Sequence, residues 1–151
     1  MFEVFLYLLE NYAGIDQCPE APLLARRLAS VGFEEHEVRS AVLWVELLRM
    51  PLEVAVIGAQ RNASTRVYHE SERAQLGDAN IDLLAQLEIN HSIDAAQREV
   101  IIERVMMLPH PVRDEGAFKA LLLTVLWAGE HEIDDVLLHG LIDQMGDETL
   151  H

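Results

Sequence analysis

The clearest hydrophobic pattern of the chain lies within residues 31–50. Apolar residues recur there at the three- and four-residue spacing of an amphipathic helix. Glu34, Glu35 and Glu37 load its first turn with negative charge, which suits the positive end of a helix dipole. Pro51 cannot continue a helix, so we expect the helix to end just before it. A face this wide packs on more than one side and therefore predicts a central helix. Its inward positions are predicted to be Val38, Ala41, Val42, Val45 and Leu48, widened by Leu43, Trp44 and Leu47.

The chain before this segment predicts two shorter helices. The first ends at Gly14, and Pro22 suits the first turn of the second, whose Arg26 and Arg27 we expect outside. A short helix, a turn containing Gly32 and a longer helix give a helix-turn-helix-like outline. The predicted apolar positions are Phe2, Phe5, Leu6 and Leu9, with Val4, Leu8 and Tyr12 beside them, and then Leu23, Leu24 and Leu28.

Residues 51–69 have a different pattern. Residues 54–57, Val-Ala-Val-Ile, form a short β-capable run, and residues 58–64 are typical of a loop. Thr65, Val67 and Tyr68 form a second short run. The two runs are able to pair as a small β-hairpin at the position of the wing in a winged helix.

The second half of the chain is helical again. Apolar spacing supports a helix to about Ile89, with Gly77 a weak point within it. Asp94 and Gln97 form a capping box for the next helix, which we expect to end at Pro109. The inward positions are predicted to be Leu76, Ile81, Leu83, Leu84 and Leu87, then Val100, Ile101, Val105 and Leu108.

Two further helices complete the predicted fold. Asp114 is placed to cap the first, with Phe118, Leu121, Leu122, Val125 and Leu126 inward, and the second spans about residues 133–145. The sequence thus predicts a mainly α, compact helical domain. Its two halves, residues 1–69 and 70–151, are expected to form one globular unit.

The charge balance restricts the partners of the protein. The 151 residues include 11 Lys and Arg against 26 Asp and Glu, a formal net charge of −15 at pH 7. A field of that sign repels phosphate backbones. It is typical of a solvated acidic surface, and a dedicated basic partner is the alternative. No apolar run reaches the roughly eighteen residues of a membrane span, and Cys18 is the only cysteine, so we expect a cytoplasmic protein.

Several segments resemble the bacterial Smg family. They are the opening MFEVFLYLLENY, the pair GF followed by SAVLWVELL, the run TRVYHESE, the run REVIIERVMML and the terminal LH. The resemblance covers nearly the whole chain in the same order. It implies a small cytoplasmic bacterial protein of unestablished biochemical role, with no catalytic motif. His69 stands where family members often have Thr or Ser followed by Pro, so Ser71 is the alternative cap of the helix that follows.

Catalytic motifs are missing from the sequence. Neither a phosphate-binding GxxxxGK[ST] or GxGxxG loop nor a GxSxG elbow occurs. Cys18 has no basic neighbour in the sequence that could lower its pKa. His131, Asp135 and His139 share one predicted helix face, but further metal ligands have to come from elsewhere, and pairing of these side chains on a surface helix is the simpler interpretation. We therefore predict no catalytic site, no metal and no cofactor.

The remaining candidate contacts are arginines near the predicted hairpin. Arg61, Arg66 and Arg73 cluster where acidic residues are fewer, whereas the helix at the position of a recognition helix carries an excess of Glu that disfavours phosphate contacts. We predict a non-enzymatic module that binds another protein through this hairpin or through an apolar strip on the last two helices. A winged-helix-like nucleic-acid-binding regulator is the alternative.

Overall fold

The computed structural model describes residues 2–50, 67–129 and 140. Residues 2–50 and 67–129 form seven α-helices and one short 3-10 helix, which confirms the mainly α prediction. The elements are α1 (Phe2–Asn11), the 3-10 helix (Ile15–Gln17), α2 (Ala21–Val31), α3 (Glu35–Arg49), α4 (Glu70–Leu76), α5 (Asp78–Ile89), α6 (Ala95–Met106) and α7 (Glu115–Ala128).

The most completely buried of the described helices is α7; α3, predicted to be a central helix, does pack against more than one element, namely α1, α2 and α7. Every side chain from Phe118 to Trp127 is buried. A helix that is apolar on all sides has to be surrounded by other elements. α7 packs against α1 and α6, and it also contacts α3, α5 and the 3-10 helix. α3 instead keeps one side open, because its Leu43 is 64% exposed.

One hydrophobic core joins the first and second halves of the described chain. It runs from Val4 in α1 to Trp127 in α7. Two indole N–H groups also cross between the halves: Trp44 Nε1 donates to Thr124 Oγ1 at 2.7 Å, and Trp127 Nε1 donates to the Tyr12 carbonyl at 2.9 Å. The buried indoles find the partners that such groups require.

The helix ends follow the local capping signals in most places. The Asp94 carboxylate accepts from Gln97 N at 2.7 Å, and the Asp114 carboxylate accepts from Ala117 N at 2.9 Å, as predicted. At α4 the cap is His69 itself, whose backbone N–H donates to Glu72 Oε1 at 3.0 Å. Ser71 lies inside the helix and does not take over this position.

Several boundaries and orientations differ from the sequence prediction. Gly77 separates two helices because its φ of +82° and ψ of 154° break the helical path. α6 ends at Met106, before Pro109 is reached. Leu23 is 45% exposed because α2 buries only Leu24 and Leu28.

The predicted hairpin falls mostly outside the described residues. Residues 54–57 and Thr65 are not among them, and Val67 and Tyr68 are described but lie in no strand. These two residues lead directly into the cap of α4 at His69. The described part of the chain contains no β-strand, so the winged-helix-like interpretation finds no support there.

Candidate interaction surface

The largest apolar side chains that α3 leaves uncovered lie on one side of this helix. Leu43 is 64% exposed and Met50, at its C-terminal end, is 53% exposed, while Leu47 between them is partly buried. Exposed apolar side chains that share one helix face are more informative than scattered ones. We call this side the outer face of α3, defined by His36, Arg39, Ser40, Leu43, Glu46, Leu47 and Met50.

The opposite side of α3 is fixed in the core. Val38, Ala41, Trp44, Val45 and Leu48 are buried there. The Trp44–Thr124 hydrogen bond connects this side to α7. Because the inner side is held by packing, the outer face is carried by a rigid helix.

A buried arginine fixes the C-terminal end of α3. Arg104 of α6 donates to the carbonyls of Leu47 at 2.7 Å, Leu48 at 3.0 Å and Met50 at 2.7 Å. The last carbonyls of a helix have no partner inside the helix, and a cation there also suits the helix dipole. Burial lowers the pKa of the Arg104 guanidinium from its ordinary value, but an arginine stays protonated at neutral pH. The charge therefore stabilises the end of α3 that carries Met50.

A second arginine ties α3 to the loop before α2. Arg49 Nη2 donates to the carbonyls of Cys18 at 2.8 Å and Pro19 at 3.0 Å. Cys18 therefore has a basic neighbour in space that the sequence does not reveal. Burial nevertheless raises the pKa of the Cys18 thiol, Arg49 opposes this, and Glu46 adds to it. The raised pKa keeps the thiol protonated at neutral pH.

The charged groups of the outer face pair along the helix. Arg39 Nη2 lies 3.0 Å from Glu35 Oε1, and Arg49 Nη1 lies 3.1 Å from Glu46 Oε1. At the first turn of α3, Glu34, Glu35, His36 and Arg39 line a shallow polar depression. Exposed pairs of this kind contribute at most about 1 kcal/mol each. They are therefore free to exchange partners when another molecule binds.

The predicted arginine cluster is only partly within the described residues. Arg61 and Arg66 lie outside them. Arg73 lies on α4, and its Nη1 is 3.3 Å from Asp78 Oδ1. Arg73 thus has a carboxylate partner of its own. Whether it joins the other two arginines stays a prediction.

The predicted apolar strip on the last two helices is wrong for α7, because that helix buries all of its apolar side chains from Phe118 to Trp127. The last predicted helix, residues 133–145, lies outside the described residues apart from Gly140.

The candidate metal ligands His131, Asp135 and His139 also lie outside the described residues. Among the residues that the structure describes, no three potential metal ligands come together.

The sequence analysis did not identify two buried arginines of α6, Arg98 and Arg104. Arg98 is buried and donates from Nη1 to both oxygens of Glu88, at 2.8 and 2.7 Å, and from Nη2 to Glu99 at 3.0 Å. Arg98 precedes Ile101, Ile102 and Val105 at helical spacing, so its place on the inner side was visible in the sequence. Arg104 lies three residues after Ile101 and four before Leu108, so its inward place was also visible, whereas its partners, backbone carbonyls of another helix, were not.

Comparison with known proteins identifies the family. Residues 1–151 match the family described as "Protein of unknown function (DUF494)". The chain belongs to this family. It is 38% identical over 152 residues to the "Protein Smg homolog" of Bordetella petrii, with all of both chains covered.

Other relatives carry the same description. The "Protein Smg homolog" of Leptothrix cholodnii is 37% identical, again over the full length of both chains. That of Aromatoleum aromaticum is 35% identical over 148 residues, which cover 98% of this chain and 96% of that protein. The resemblance to the Smg family is thus confirmed, and no solved structure matches the chain. None of the described helices combines the length and apolar character that crossing a membrane requires.

Proposed function

We propose that the protein is a non-enzymatic interaction module that binds a protein partner through the outer face of α3. The observation that carries this proposal is the exposure of Leu43 and Met50 on a helix whose other side is buried. Large apolar side chains on a rigid element are suited to fill a pocket of a partner without a large ordering cost.

The surroundings of these side chains support the same function. Arg104 and Arg49 hold the C-terminal end of α3 by five hydrogen bonds to backbone carbonyls. The exposed ion pairs Arg39–Glu35 and Arg49–Glu46 supply a polar rim that carries both signs of charge. The buried free thiol of Cys18 suits the reducing conditions of the cytoplasm, where we propose that the module acts.

The nucleic-acid-binding alternative is not favoured by any described contact. Arg73 is paired with Asp78, and α3 presents Glu34, Glu35 and Glu46 among its exposed residues. A phosphate-binding face needs an excess of basic groups.

Affinity capture with matched variants tests the proposed function. The wild type, L43E and I89E are each immobilised and exposed to the cytosol of the native bacterium at several salt concentrations. Ile89 is 74% exposed on α5, so I89E places the same charge on another surface. We expect a protein that the wild type and I89E retain and that L43E loses. If the wild type, L43E and I89E all retain the same proteins, the outer face of α3 is not the binding surface.

A further inference from the structure

The outer face of α3 carries two opposite charges at matched positions around Leu43. Arg39 precedes Leu43 by four residues and Glu46 follows it by three. On a helix with about 100° per residue, both lie on the same flank of Leu43, about 40° and 60° from it. Along the axis they lie about 6 Å before and about 4.5 Å after Leu43.

This arrangement is self-complementary in one orientation. A two-fold axis through Leu43, perpendicular to the helix, places a second α3 antiparallel to the first and keeps each flank on its own side. Arg39 of one copy then faces Glu46 of the second copy, and Glu46 faces Arg39, with axial offsets of only about 1.5 Å. A two-fold interface requires that residue i meets residue j while j meets i. Arg39 and Glu46 satisfy this rule.

The residues on the other flank of Leu43, Ser40 and Leu47, also match in the antiparallel orientation. Leu47 faces Ser40 of the second copy, so that a large apolar side chain meets a small one, and Leu43 meets its own equivalent at the centre. A parallel pair about a two-fold axis along the helices would instead bring Arg39 against Ser40 and Glu46 against Leu47 of the second copy. Neither charge would then have an opposite partner, so charge complementarity favours the antiparallel arrangement.

The geometry points to a second copy of this chain as the occupant of the outer face of α3, in an antiparallel homodimer centred on Leu43. This inference rests on the proposed function, since it names the partner of the same surface. The exposed intrachain pairs Arg39–Glu35 and Glu46–Arg49 exchange for two symmetric pairs between copies.

The size of the face sets the expected strength of the dimer. Two 15-residue helices, each roughly 22 Å long, bury less than the roughly 1,600 Å² of a standard interface. The net charge of −15 on each copy also opposes association until salt screens it. A reversible dimer with micromolar or weaker affinity follows, best seen near physiological salt.

Sedimentation equilibrium from micromolar to millimolar concentration provides the test. We expect a monomer–dimer equilibrium for the wild type and I89E and a monomer for L43E. The single reversals R39E and E46R each place like charges together twice and should weaken the dimer at least about tenfold. An equimolar mixture of R39E and E46R has opposite charges at both contacts, so it should dimerise again. Far-UV circular dichroism checks that each variant, altered only at an exposed position, keeps its helices.

The outcomes separate this inference from the proposed function. A wild type that stays monomeric, or a mixture of R39E and E46R that stays dissociated, overturns the antiparallel homodimer. If L43E at the same time loses a cytosolic protein that the wild type retains, the proposed function stands with a different partner. A dimer that none of the α3 variants affects forms through another surface and also overturns the inference, while the affinity capture alone decides the proposed function.

Discussion

Among individual residues, Arg104 has the clearest expected effect on stability. Its side chain is buried, and three carbonyls at the end of α3 accept hydrogen bonds from it. Arg104→Met removes this donor from the carbonyls of Leu48 and Met50 in a place that water reaches poorly, while the Leu47 carbonyl keeps the hydrogen bond from Met50 N. We expect the free energy of unfolding in urea to fall by about 3 kcal/mol.

Arg39→Met is the matched control for Arg104→Met. Arg39 is exposed and forms one surface ion pair, so this variant should change the free energy of unfolding by less than about 0.5 kcal/mol. The interpretation of Arg104 as the group that fixes the end of α3 is wrong if both variants unfold at the same urea concentration.

Cys18 should make the stability depend on pH in the alkaline range. Burial raises the pKa of its thiol in the folded state, so the folded state binds this proton more tightly than the unfolded state. This contribution is fully present below the ordinary pKa of a cysteine and is lost as the pH rises through the raised value. Cys18→Ala lacks it. Urea unfolding of both proteins between about pH 7 and about pH 10 should therefore show the wild type losing more stability than the variant; a constant difference across that range would contradict the prediction.

At the scale of helices and turns, two glycines with positive φ should differ in the cost of adding a Cβ. Gly32 has φ +113° with open space where a Cβ would stand, whereas at Gly77, with φ +82°, a Cβ would lie 3.4 Å from Arg113 Cγ. The ψ of 154° at Gly77 adds a conformation that is almost restricted to glycine. We expect Gly32→Ala to cost about 1 kcal/mol and Gly77→Ala about 2 kcal/mol or more in thermal or urea unfolding. Equal costs would contradict the expectation that a side chain is more strained at Gly77 than at Gly32.

The helices could be predicted from the sequence because the apolar spacing and the caps are local. Asp94 and Asp114 cap their helices as the sequence indicates. Which side of a helix faces the core is harder to predict from the sequence. Apolar residues surround much of α3, and spacing alone cannot decide which of them meets the core, so Leu43 was predicted inward although it is exposed. The candidate surface depends on that one orientation, and the buried Arg104 depends on contacts with a distant helix. Both are tertiary effects.

At the scale of the whole molecule, the two tryptophans allow a test of whether the two halves of the described chain unfold together. Trp44 lies in the first half and bonds to Thr124, while Trp127 lies in the second half and bonds to the Tyr12 carbonyl. The division at residue 69 remains a prediction, but each indole is held by the opposite half of the described chain. A loss of packing in one half therefore removes the surroundings of both tryptophans.

Single-tryptophan variants allow the unfolding of each tryptophan's surroundings to be followed by fluorescence. Trp127→Phe leaves Trp44 as the fluorescent reporter, and Trp44→Phe leaves Trp127. Each variant loses one hydrogen bond and is therefore compared with itself: in urea, its fluorescence transition should coincide with its transition by far-UV circular dichroism. This coincidence is expected because α7 supplies core to both halves, so neither keeps its packing when the other unfolds. A fluorescence midpoint well separated from the circular dichroism midpoint in either variant would show two units that unfold independently.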